Sequence, residues 1–207
     1  RLPLPGGEGK ALRLAQPGNP DIPIYFATLA PKALEYTGEA GDGWLGTSFT
    51  PEDAESAHLG FIRRGAEAAG RSLADIDIQA GGAVAFGDDI EALAAPLKPG
   101  MAFTLGAMGS PKTNFYNEAY RRGGWEDTAR EVQQLWVSGR REEAAARVPT
   151  EMVRRNNLLG DESMVRERVE AFRAAGVTTL RVHPVGKDLA SRLETLGRVM
   201  DMVRGRS

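Results

Sequence analysis

Residues 23–50, PIYFATLAPKALEYTGEAGDGWLGTSFT, read as strand, helix and strand in one short stretch. The apolar run at 22–27 is rich in β-branched and aromatic residues and stops where a helix begins, as a buried parallel strand does. Pro31 opens the helix at a position where its missing N–H costs nothing. Gly41-Asp42-Gly43 closes it, and residues 44–48 form the next strand, with Trp44 in the core. A helix starting directly off a strand end aims free backbone N–H groups and its positive pole at one spot, a common seat for a phosphate.

The alternation continues outward from this stretch. Thr50-Pro51-Glu52-Asp53 is a helix start, with Thr50 as N-cap and acids in the first turn. A core-facing stripe of Ala54, Ala57, Phe61, Ile62, Ala66 and Ala69 follows, which leaves His58 on the surface. Residues 76–86 contain a third strand, and Asp88-Asp89 starts another helix. Residues 99–111 carry no charge and are interrupted by Gly106 and Gly109. That stretch is too apolar for an exposed loop and too glycine-rich for a firm helix, so a lid, a pocket wall or a subunit contact is expected. Helical patterns at 114–122, 126–138 and 141–147 make residues 99–155 a mostly helical insertion. Residues 161–175 form an amphipathic helix, 177–182 a fourth strand and 187–203 a closing helix. Residues 1–20, rich in Pro and Gly, form a loop with at most a hairpin strand at 11–14.

Four successive βα units imply an α/β fold with a parallel sheet and right-handed crossovers. No G-x-G-x-x-G follows the first strand, which weighs against a dinucleotide-binding sheet. A complete (βα)8 barrel needs eight strands and about 250 residues. On the barrel reading this chain is therefore the second half of a TIM-type barrel, lacking the first four units.

The composition is that of a globular domain: 207 residues, 42% hydrophobic, 26% charged, net charge −2. No long basic run marks a nucleic-acid partner, and no apolar run is long enough to span a bilayer. The Arg-Arg pairs at 63–64, 121–122, 140–141 and 154–155 read as solvated helix faces. The absence of cysteine excludes disulfides, thiolate metal sites and cysteine nucleophiles, and leaves a cytoplasmic location unopposed. No carboxylate pair, histidine cluster or Ser-His-Asp set has a spacing that suggests metal catalysis or hydrolysis, so no metal site is expected and the catalytic residues stay unassigned.

Residues 27–32 (ATLAPK) and 34–45 (LEYTGEAGDGWL) resemble the fifth and sixth βα units of the luciferase-like barrels. The similarity is strongest to the oxidoreductases that use the deazaflavin coenzyme F420. Those enzymes carry Gly before the turn proline, where this chain has Ala30. GAMGS at 106–110, NFYN at 114–117, LLGDE at 158–162 and AGVTTL at 175–180 are similar to further parts of that group, in the same order.

The resemblance implies a (βα)8 barrel with F420, or FMN in monooxygenase relatives, at the C-terminal face, moving a hydride to or from a small organic substrate. It implies that Ala27, Thr28, Leu29, Ala30 and Pro31 hold the cofactor's phosphate-bearing tail through backbone N–H groups and the Thr28 hydroxyl. Thr47 and Ser48, at the C-terminal end of their strand, Met108 and His183 are the expected pocket-lining residues. Asp42 lies on the opposite, N-terminal face, where it is expected to fix a turn through its own backbone. An unclosed half-barrel would need a second copy of itself or a separate first half, so a homo-oligomer or a missing N-terminal half is the expected partner.

Overall fold

The computed structural model describes Ala15, residues 17–110 and residues 112–205. The hairpin strand expected at 11–14 lies outside the described residues. The fold is α/β, built on one parallel sheet of β1 (Tyr25–Phe26), β2 (Gly43–Leu45), β3 (Asp77–Phe86), β4 (Leu158–Gly160) and β5 (Thr179–Pro184). This is one strand more than the sequence suggests. Three residues are too few to show a period, and β4 is recognisable only because all three are buried.

The register explains how five strands share so few edges. Gln79 pairs with both Leu45 and Thr179, and Val84 pairs with both Leu158 and Pro184. A strand has two edges, so β2 and β4 lie in tandem on one edge of β3, and β5 takes the other. Between the end of β2 and the start of β4 the chain leaves β3, and that gap becomes the site described below.

Four helices complete the βα units: α1 (Pro31–Ala40), α2 (Gly60–Ala68), α9 (Glu162–Ala174) and α10 (Leu189–Val203). Leu34, Ile62, Ile78, Val165, Phe172 and Val199 join them to the sheet in one core. α1 and α2 cross at two glycines. A β-carbon on Gly38 would lie 1.9 Å from the Ile62 carbonyl oxygen, and one on Gly65 1.8 Å from that of Glu35. Only bare backbone allows this approach.

The segment before α2 departs from the expected single helix. Thr50 makes no backbone cap; its hydroxyl donates to the Asp53 carboxylate at 3.0 Å. A 3₁₀ turn (Pro51–Asp53) and a wide π-helical turn (Glu55–Leu59) come first. The wide turn changes the phase of the side chains, so Ala57, His58 and Leu59 are all buried. His58, expected on the surface, is fully buried, whereas Ala69, expected in the core stripe, is exposed.

Between β3 and β4 lie α3 (Ile90–Ala94), α4 (Lys98–Ala107), α5 (Phe115–Tyr120), α6 (Glu126–Val137), α7 (Arg141–Arg147) and α8 (Thr150–Asn156). They enclose a second core that includes Met101, Leu105, Val132 and Met152. The uncharged stretch from residue 99 is thus largely helical after all. Gly106 does not break α4, because a β-carbon there would lie 2.3 Å from the Trp136 side chain. It is a packing glycine, and sequence alone does not distinguish that from a breaking one.

Candidate functional site at the C-terminal rim

β1 and β2 are parallel, so the turns that follow them open on the same side of the sheet. The turn after β1 contains Ala27, Thr28, Leu29, Ala30 and Pro31. α1 starts here with extended backbone at Ala30, no side-chain cap and no acidic residue in its first turn. Leu34 N–H already bonds to the Ala30 carbonyl, and Pro31 has no N–H, so the Lys32 and Ala33 N–H groups form the open end. The Thr28 hydroxyl is already engaged. Thr37 Oγ1 donates to the Ala33 carbonyl at 2.8 Å, so Thr28 is the donor in the 2.9 Å contact between the two hydroxyls. Thr28 therefore fixes the turn, and its proton is not available to a ligand while that bond stands.

Two longer-range bonds hold this turn. Trp44 Nε1 donates to the Thr28 carbonyl at 2.9 Å, and Arg122 Nη2 to the Leu29 carbonyl at 2.8 Å. Arg122 also donates twice to the Ala57 carbonyl, at 3.1 and 3.2 Å. One of the arginines expected on a solvated face thus clamps two segments of the rim together, and burial pulls its guanidinium below its ordinary value.

A cleft of about 210 Å³ opens in the gap between β2 and β4. Thr47 and Ser48 line it on one side; Gly100, Met101 and Thr104 of α4 line the other. Tyr116, Tyr120 and the pair Asn156-Asn157 close its ends. Asn157 stands in for the missing strand: its Oδ1 accepts from Ala83 N at 2.8 Å, and its Nδ2 donates to the Val153 carbonyl at 2.7 Å. Asn156 Nδ2 donates to the Phe49 carbonyl at 2.9 Å.

Ser48 has a φ of 52°, the one positive value among the described non-glycine residues. A side chain in this region carries strain that its surroundings must offset. The Ser48 carbonyl lies 3.1 Å from His58 Nε2. Since that oxygen only accepts, Nε2 carries the proton, and the buried Nδ1 is without a partner. His58 sits against Trp44 and Phe49, at ring separations of 5.1 and 6.0 Å. Burial pulls its pKa down to about 4, with the Ser48 carbonyl opposing and Arg122 reinforcing. The Tyr120 phenol faces the Ser48 side chain, and burial raises its pKa.

Of the expected pocket residues, the fold brings Thr47 and Ser48 together in the cleft and leaves the other two outside it. Met108 is half-buried at the C-terminal end of α4, beyond the face that lines the cleft. His183 is exposed on β5, which lies on the opposite edge of β3, in register with Ala83. Asp42 does not close its own turn; its Oδ2 accepts from Ile24 N at 2.7 Å and secures the entry to β1. Sequence reading misses Tyr116, Tyr120, Asn156 and Asn157, because side chains from the helical insertion and its exit reach the cleft only through the tertiary fold. The one local signal was the polar NFYN run at 114–117 inside an apolar region.

Among the described residues, no cluster of His, Asp and Glu is arranged to hold a metal, and no helix is long and apolar enough to cross a membrane.

Comparison with known proteins places the chain in context. The family model for luciferase-like monooxygenases matches residues 3–179. A Mycobacterium tuberculosis protein provisionally named a coenzyme F420-dependent oxidoreductase is 39% identical over 191 residues, covering 88% of this chain and 54% of that protein. The 5,10-methylenetetrahydromethanopterin reductase of Methanopyrus kandleri is 31% identical over 179 residues, covering 86% of this chain and 49% of its own length. The solved structure of the coenzyme F420-dependent tetrahydromethanopterin reductase from Methanopyrus kandleri superimposes with a TM-score of 0.65 at 29% identity, covering 86% of this chain and 49% of that one. The chain thus spans about half the length of these relatives.

Proposed function

The chain belongs to the luciferase-like monooxygenase family, and from that premise we propose that it contributes to an F420-dependent oxidoreductase acting on a small organic substrate. The observation that carries this reading is the open N-terminus of α1, uncapped and free of acids in its first turn, on the same rim as the cleft. The similar Mycobacterium tuberculosis protein and the solved Methanopyrus kandleri reductase both carry dependence on F420 in their names, which supports it.

The residues of the turn fit a phosphate-bearing tail. The Lys32 and Ala33 N–H groups are its donors, Thr28 and Leu29 are fixed from behind by Thr37, Trp44 and Arg122, and the helix pole favours an anion. Bound there, the deazaflavin would supply the hydride chemistry. The chain's own part is to hold Ala27, Thr28, Leu29, Ala30 and Pro31 as one rigid seat and to offer Thr47 and Ser48 to the substrate. In the same proposal the chain is the second half of a (βα)8 barrel, residues 99–155 are its helical insertion, and Met108 and His183 line the completed mouth. The first four units, or a second copy, complete it.

Titration with oxidised F420, followed by quenching of deazaflavin fluorescence beside an FMN control, tests the reading. It is run on this chain and on a chain extended upstream through four further βα units. Micromolar binding of F420 without comparable FMN binding, in either form, is the expected result. Preference for FMN would move the assignment to a flavin monooxygenase, and binding of neither by the extended chain would overturn it.

A further inference from the structure

Resting on the reading of the rim as a substrate site, we propose that the cleft between Thr47-Ser48 and α4 selects an uncharged molecule bearing a hydroxyl or carbonyl group, and discriminates against anions and cations of the same size.

The lining carries the argument. Leu97, Gly100 and Met101 give it an apolar wall, and every polar group on it is a hydroxyl or an amide. No lysine, arginine, aspartate, glutamate or histidine lines it among the described residues. The basic side chains adjacent in sequence are engaged elsewhere: Arg154 and Arg155 share Glu151 at 2.7 Å each, Arg121 bonds to Glu126 at 3.1 Å, and Lys98 lies 3.5 Å from Glu91. His58, beneath Ser48, is neutral through the physiological range, so it adds no charge from below.

The hydrogen-bonding capacity left over is mixed in sign. Asn157 is committed at both ends. Asn156 directs its amide N–H to the Phe49 carbonyl, which leaves its oxygen as an acceptor. Thr104 donates to the Gly100 carbonyl at 3.0 Å, so its oxygen also accepts. Thr47, Ser48 and Tyr116 bring hydroxyl donors. Acceptors and donors placed around an apolar wall suit an alcohol or a carbonyl, which can use both. A carboxylate would face the two acceptors and lose water with no cation to replace it, and an ammonium would lack a carboxylate.

The test uses four probes of matched size: cyclohexanol and cyclohexanone, cyclohexanecarboxylate, and cyclohexylammonium. Each is titrated into the isotope-labelled full chain without cofactor, and the amide resonances of Thr47, Ser48, Thr104 and Asn156 are followed. The expected result is that the neutral pair moves these resonances with at least tenfold higher affinity than either charged probe. Thr47 is exposed, so Thr47→Lys leaves the fold intact, and it is expected to raise affinity for the carboxylate at least tenfold over the parent. Equal or tighter binding of a charged probe by the parent chain overturns the proposal, as does the absence of any cleft shift with the neutral pair. Because no deazaflavin is present, a failed F420 titration leaves this result standing, and a failure here leaves the F420 titration standing.

Discussion

His58 and Ser48 make one unit, and their coupling has a measurable pH signature. In the unfolded chain His58 titrates near its ordinary value, about 6.5. In the folded chain burial holds it down at about 4. A depressed folded value means the stability is fully present above the unfolded pKa and is lost as pH falls towards the folded one, because the unfolded chain takes up the proton first. Lowering the pH from 7 to 4.5 should therefore remove about 2–3 kcal/mol through this residue alone. Urea unfolding at both pH values measures it, with His58→Gln as the reference: the variant starts less stable at pH 7 but falls by that much less. Equal losses in the two proteins would show that His58 is not buried neutral. The positions of Thr47 and Ser48 were legible in the sequence, since a strand that ends in hydroxyl residues presents them at the C-terminal rim. The inward turn of His58 was not legible. It depends on the π-helical turn at Glu55–Leu59, and no residue type there announces one.

At the scale of elements, the α1–α2 crossing is the least forgiving contact. Each helix brings a glycine against the other's backbone, and a β-carbon at either would sit under 2 Å from a carbonyl oxygen. Backbone cannot move aside as a flexible side chain does. Gly65→Ala is expected to destabilise by about 3 kcal/mol or more, at the upper end of overpacking substitutions. Gly197→Ala in α10, at a half-buried position where a β-carbon meets nothing within 4 Å, should be neutral or stabilising by about 0.4–1 kcal/mol. Thermal melts of the two variants beside the parent separate a packing glycine from a merely helical one; similar melting temperatures would mean that the helices do not cross this closely. The same distinction explains what sequence could read of the elements. The bounds of α1 were legible because Pro31 and Gly41 punctuate it. α4 was obscured because Gly106 looks like a breaker and is in fact the seat of Trp136. β4 was invisible because three apolar residues between helices have no period of their own.

Across the whole molecule, most of the large exposed apolar side chains gather at the two margins of the sheet, with Phe103, Phe115 and Val137 standing apart on the helical insertion. Beyond β1 lie Ile22, Ile24 and Tyr36, each more than half exposed. Beyond β5, α10 carries Leu189, Leu193, Leu196, Met200 and Val203 at intervals of four, three, four and three, the spacing of a helix seam. Four of these five are exposed, Leu189 by 71% and Leu193 by 57%, while Leu196 lines a groove with Leu180 and Val182. The adjoining side of the same helix already packs on the core through Val199 and Met202, and Val199 borders the same groove. An apolar arc that extends past the part the core covers is one made to be covered further. Among the described residues the outer edges of β1 and β5 also have no strand partner, which leaves two unpaired rows of N–H and C=O groups beside the apolar margins. This chain is therefore expected to self-associate, with a weight-average mass in sedimentation velocity that rises with concentration. The double substitution Leu189→Glu with Leu193→Glu should shift it towards monomer with unchanged far-ultraviolet dichroism, since exposed positions tolerate charge at a cost within about 0.5 kcal/mol. A parent chain that stays monomeric at every concentration, or a variant that associates as before, would mean that the α10 seam is not a surface of self-association.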